Sequence, residues 1–130
     1  MGRRITDKLL EVSRSLPAAA ANNNSTSLDL GEGWKGENYE LEIEIPALPN
    51  LADTKTLTVT VQDSADNSAF AAIPELATLV VTGAGGVGSA ATKRQLRIPA
   101  STRQYIRINC AVASVGGDNT ASAAIMRLLL

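Results

Sequence analysis

Residues Lys55 to Phe70 read KTLTVTVQDSADNSAF, and this stretch decides the fold class. Leu57, Val59 and Val61 alternate with Thr56, Thr58 and Thr60. Successive side chains of a strand point to opposite faces, so the alternation describes one apolar face and one hydroxyl face. The polar run Gln62 to Ser68 breaks the strand, because Asp, Asn and Ser bond their own backbone in turns. Phe70, the only phenylalanine, follows the turn and is expected to fold back and cap the core.

Working outward, the same period recurs. Asn38–Ile45 places Tyr39, Leu41, Ile43 and Ile45 inward and Glu40, Glu42 and Glu44 outward, until Pro46 and Pro49 open a loop. Gln104–Ala113 sets Ile106, Ile108, Cys110 and Val112 against Tyr105, Arg107, Asn109 and Ala111. Shorter strands are expected at Thr26–Leu30, Ala77–Thr82, Arg94–Ile98 and Ala121–Leu130, separated by Gly-, Pro- and Asn-containing turns. About seven antiparallel strands at this spacing predict an all-β domain, a β-sandwich or jelly roll, over residues 25–130. Arg103 and Arg107 are expected to serve as cross-strand partners of the glutamate triplet.

Ahead of it, Ile5–Leu16 reads as a short amphipathic helix. Ile5, Leu9, Val12 and Leu16 share a stripe and Pro17 stops it. About three turns are marginal in isolation, so the stripe needs a surface to lie on. The segment AAANNNS after Pro17 reads as a tether. The surface under the stripe is either the protein's own domain or a neighbouring subunit, and residues 1–24 are expected to form an N-terminal arm, helical or extended, that lies on a neighbouring subunit. Its cations Arg3, Arg4, Lys8 and Arg14 are interspersed with Asp7 and Glu11 and lack interleaved aromatics, a weak signal for nucleic acid.

Composition bounds the chemistry. The 130 residues suit one domain, and aromatics at 3% leave an aliphatic core. There is no histidine, which removes the commonest general base and metal ligand. Cys110 is alone, so no intrachain disulfide or thiolate cluster is available, and its inward position reads as core. No apolar run approaches ~18 residues, and the N-terminus lacks a signal-peptide pattern, so the expected compartment is cytosolic, with no membrane partner. Net charge is -1, with ten acids against two bases between Asp29 and Glu75 and six bases against one acid between Lys93 and Arg127. These blocks are expected to meet across or between protomers.

Three motifs invite sharper chemistry and each fails on context. Gly83, Gly85 and Gly88 match the G-x-G-x-x-G of a dinucleotide-binding turn. That turn needs a following helix and a ribose-binding acid, and residues 90–114 supply neither, so a flexible glycine loop is expected. Asp63, Asp66 and Asn67 are too few oxygens for calcium and read as a side-chain-bonded turn. No serine has an activating base nearby in sequence. No catalytic, cofactor or metal site is expected.

The segments STSLDLG (Ser25–Gly31), LTVTVQDSADNSAF (Leu57–Phe70) and RIPASTRQYIRIN (Arg97–Asn109), with the apolar last strand, resemble the capsid cement, or decoration, proteins of tailed bacteriophages. The resemblance covers roughly residues 25–130 and leaves the N-terminal segment unmatched. It implies a jelly-roll or sandwich unit, a homodimer or homotrimer at lattice axes, on the outer surface of an HK97-like capsid. There it would clamp adjacent major capsid proteins, after synthesis in the host cytoplasm. The residues expected at capsid or subunit interfaces are Arg3, Arg4, Ile5, Leu9, Val12, Leu16, Trp34, Glu40, Glu42, Glu44, Arg103 and Arg107. A carbohydrate- or receptor-binding sandwich of a phage tail or fibre is the alternative; it would want exposed aromatics, and only Trp34, Tyr39 and Tyr105 are available.

Overall fold

A computed structural model describes residues 11–30 and 39–129. Among these residues ten strands form two antiparallel sheets. One sheet, A, has the order β1-β10-β4-β8, from β1 (Glu11–Ser15), β10 (Ala123–Leu129), β4 (Glu40–Ile45) and β8 (Thr92–Arg97). The other, B, is centred on β9 (Tyr105–Val112) and β5 (Thr56–Ser64). β2 (Asn22–Asn24) and β3 (Leu28–Asp29) pair with β9, while β6 (Ala71–Ala72) and β7 (Leu79–Thr82) pair with β5. No helix occurs among the described residues. The protein is an antiparallel β-sandwich.

The alternations read from sequence explain the core. Leu41, Ile43 and Ile45 of β4, Leu57, Val59 and Val61 of β5, and Ile106, Ile108, Cys110 and Val112 of β9 all face the space between the sheets. Each such side chain contributes roughly 1.5–3 kcal/mol by leaving water. β5 and β9 pair over eight positions, from Leu57–Val112 to Ser64–Tyr105. β5 therefore runs on through Ser64, into the expected break, and Asp63 and Ser64 are buried strand residues rather than turn residues.

Two expectations are corrected at the N-terminal side. Glu11–Ser15, assigned to a helix from the Val12–Leu16 spacing, is a strand along β10, in register from Glu11–Arg127 to Ser15–Ala123. Val12 and Leu16 still reach the core, at 7% and 2% exposure. The backbone edge of β10 pairs with every residue of this segment, whereas a helix this short would have to stand on its stripe alone. Residues 18–24 are likewise no free tether: Asn22–Asn24 pair with Ala111–Asn109, and the Asn23 side chain donates to the Ser15 carbonyl at 2.8 Å. Residues 11–24 thus add an edge strand to each sheet and stitch the two together, so the sandwich begins before residue 25. The rest of the expected helix, residues 5–10, lies outside the described residues.

The glycine loop is tied down rather than flexible. Leu48 and Ser89 bridge, Asp53 bridges Gly83, and the Asp53 carboxylate accepts from the Gly86 amide at 2.9 Å. A Cβ on Gly88, whose φ is +76°, would sit 1.8 Å from the Leu48 carbonyl oxygen. The loop is glycine-rich because two backbones touch there.

Candidate interaction surface

The outward side chains of sheet A form a ladder of charge. Arg127 on β10 lies between β1 and β4, and three carboxylates converge on it. Glu11 is 2.5 Å from its Nε, and Glu42 and Glu44 are 3.0 and 2.7 Å from its Nη1. All four side chains are at least two-thirds covered, which strengthens charge-assisted bonds. The hydrogen bond from Arg127 holds Glu44 below the usual glutamate range, aided by the fields of Arg127 and Lys93. The same bonds raise Arg127, Glu44's first. Register then continues to β8, where Arg97, Gln95 and Lys93 lie opposite Glu40, Glu42 and Glu44.

This replaces the expected pairing of the glutamates with Arg103 and Arg107. Those arginines belong to the loop before β9 and to β9 itself, in the other sheet. The glutamates' arginine, Arg127, and the third carboxylate, Glu11, come from opposite ends of the sequence. Only strand order brings them together.

Sheet B has a different outer face. Along β5 and β9 it presents Thr56, Thr58, Thr60 and Gln62 beside Ala111, Asn109 and Arg107. Asn109 donates its amide to the Asn24 side chain at 2.8 Å and to the Asn22 side chain at 3.3 Å. This face is rich in hydroxyls and amides, with Arg107 at one end.

At that end the three segments STSLDLG, LTVTVQDSADNSAF and RIPASTRQYIRIN meet. Arg103 clasps Asp63: its backbone amide donates to Oδ2 at 2.9 Å, and Nε and Nη2 donate to Oδ1 at 3.1 and 2.8 Å. Arg107 donates to Gln62 at 2.8 Å, with its guanidinium 4.0 Å over the Phe70 ring. Phe70 therefore stacks on a cation at the outer face and does not cap the core; the ring quadrupole favours that site. Ser27 donates to Asn67 at 2.6 Å, and Gln104 donates to Asp29 at 2.8 Å. Asp66 accepts from Ser64, Ser68 and Ala69, bonds that depress its pKa, Ala69's most. The side-chain-bonded turn is thus centred on Asp66, while Asp63 lies in β5 and bonds Arg103, and Asn67 accepts from Ser27, so the three residues have separate protein partners. Among the described residues no group of three or more acids and cysteines could hold a metal.

The other expected interface residues divide cleanly. Arg3, Arg4, Ile5, Leu9 and Trp34 lie outside the described residues. Val12 and Leu16 are buried in their own core, so they are not available to a partner. Glu40, Glu42, Glu44 and Arg107 are half-buried on outer faces, and Arg103 is 42% exposed while holding Asp63. Cys110 is fully buried, and burial pushes its thiol up to about 11. Sequence reasoning missed Arg127 and Glu11 as the centre and flank of the charge ladder. The signal was present in the odd polar position of an otherwise apolar last strand.

No family model matches this chain, and no curated protein matches it.

Proposed function

We propose that this chain is a structural virion protein, a decoration module that binds the outer surface of an HK97-like phage capsid and clamps adjacent major capsid proteins. The observation that carries this reading is the meeting of the three cement-like segments at one end of sheet B, joined by the Asp63–Arg103, Gln62–Arg107 and Ser27–Asn67 bonds. The residues on which the likeness rests are those that lock the end of sheet B, so the likeness concerns how the sandwich is held rigid. A clamp works through rigidity and through many modest contacts repeated on a lattice, with avidity supplying the strength. An aliphatic sandwich with one outer face carrying a charge ladder and the other dominated by hydroxyls and amides suits that task. Its partners are the major capsid protein and further copies of itself, as a dimer or trimer.

The test is co-sedimentation of the purified protein with capsids lacking it, with size exclusion alongside. Saturable binding at a fixed ratio to the major capsid protein is the expected result. The second reading, a carbohydrate- or receptor-binding tail or fibre module, draws on the Thr56-Thr58-Thr60-Asn109 face, whose hydroxyls and amides match sugar hydroxyls. A folded protein that ignores capsids but is retained on a glycan array would replace the first reading with the second.

A further inference from the structure

β8 is the outer strand of sheet A, and among the described residues no strand lies beyond it. Its register with β4 fixes which of its backbone groups face outward. The Ile98 amide donates to the Tyr39 carbonyl at 3.1 Å, so Leu96, Arg94 and Thr92, in step with Ile98, also turn their groups toward β4. Lys93, Gln95 and Arg97 then direct three N–H and three C=O groups away from the sheet. The charged side chains along this edge are Lys93, Arg94 and Arg97, all exposed, and among the described residues none of them forms an ion pair.

We propose that the β8 edge is a docking site for an extended acidic segment of another protein, which joins sheet A as a fifth strand. Charge selects the occupant. Two copies of β8 paired antiparallel about Gln95 would set Lys93 against Arg97 on one face, a like-charge contact that disfavours self-association. An acidic strand instead meets a cation at three of five successive positions. In the antiparallel arrangement the residues opposite Arg97, Leu96, Gln95, Arg94 and Lys93 are acidic, apolar, unrestricted, acidic and acidic. The apolar one extends the half-buried Leu96 at the rim of the core. This inference stands apart from the capsid reading, since it names the chemistry of a partner strand and not the particle that carries it.

The test uses the full-length protein and a fluorescein-labelled peptide with Glu-Leu-Thr-Glu-Glu at its centre, followed by anisotropy and by amide chemical shifts. The expected result is saturable binding that shifts the amides of Lys93, Gln95 and Arg97. Methylating the peptide nitrogens of the Thr and the last Glu, which face β8, abolishes it. Gln95→Pro removes an outward N–H without taking a bond from β4, and should weaken binding about tenfold or more while the sandwich stays folded. Lys93→Glu with Arg97→Glu should weaken it about tenfold through lost ion pairs. The proposal is overturned by no peptide binding, by equal affinity for the methylated peptide, by an oligonucleotide binding where the peptide does not, or by a dimer that Gln95→Pro dissolves.

Discussion

Asp63 and Arg103 stand 40 residues apart and are joined by four hydrogen bonds, one of them to the Asp63 carbonyl at 2.9 Å. Asp63 is 7% exposed, and the Arg103 guanidinium and backbone amide supply the hydrogen-bond donors that a buried carboxylate needs. Arg103→Ala should therefore destabilise the fold, since it leaves a buried carboxylate without its partner. Asp63→Ala should cost less, because the freed arginine is half open to water. Urea unfolding of both single mutants and the double mutant gives the coupling. Additive losses would remove the pair from any role in holding the fold.

Acid should weaken the protein through sheet A. Glu44 has a folded pKa depressed by Arg127, so the unfolded chain binds its proton more readily than the folded one. The stability this supplies is fully present above the unfolded pKa and is lost as pH falls through the folded one, on the acid side of the ordinary glutamate range. Asp66 and Asp118 are depressed too, by turn hydrogen bonds from Ala69 and Thr120 first, and act in the same direction. Arg127→Met should flatten the dependence of unfolding free energy on pH in this acid range without abolishing it. An unchanged slope would show that Arg127 does not set the acid response.

Two glycines in one loop separate crowding from backbone strain. Gly86 has φ +72° with nothing within 4 Å of an added Cβ, and Gly88 has φ +76° with the Leu48 carbonyl oxygen at 1.8 Å. Gly86→Ala should cost about 1–2 kcal/mol, the left-handed penalty alone. Gly88→Ala must also force the Leu48 and Gly88 loops away from each other against their hydrogen bonds, and should cost at least twice as much. Equal losses by thermal or urea unfolding would show that the loop relaxes freely.

Removing residues 1–24 should damage the domain rather than merely release an arm. The deletion takes away β1 and β2, exposes the edge of β10, and loses Val12 and Leu16 from the core. Two buried aliphatic side chains alone amount to about 3 kcal/mol or more. The expected outcome is a much lower melting temperature or aggregation on light scattering. A truncated chain as stable as the parent would place these strands outside the cooperative unit.

Cys110 should be silent until the chain unfolds. Its thiol is buried and pushed up to about 11, so almost no thiolate exists at pH 8. Ellman's reagent should react slowly in buffer and stoichiometrically in denaturant. Rapid native labelling would mean that β9 opens locally.

How much was legible beforehand follows from which contacts were local. The alternations of Leu41–Ile45, Leu57–Val61 and Ile106–Val112 are properties of the chain itself, because period two sorts side chains onto faces whatever the neighbour. They determined strands, core and the all-β class. The Asp66 turn was legible for the same reason, since its bonds to Ser64, Ser68 and Ala69 span at most three residues.

What the tertiary structure decided is everything that depends on strand order. Val12 and Leu16 suit one face of a helix, but a short segment takes the conformation its surroundings complete, and the edge of β10 completed a strand. Cross-strand partners are the other case: the glutamates of β4 took Arg127 and left Arg103 to Asp63, because β4 lies beside β10 and not β9. Charge in sequence states that acids and bases are available to one another. Which of them meet depends on the closure of long loops around one hydrophobic core, and no local pattern carries that information.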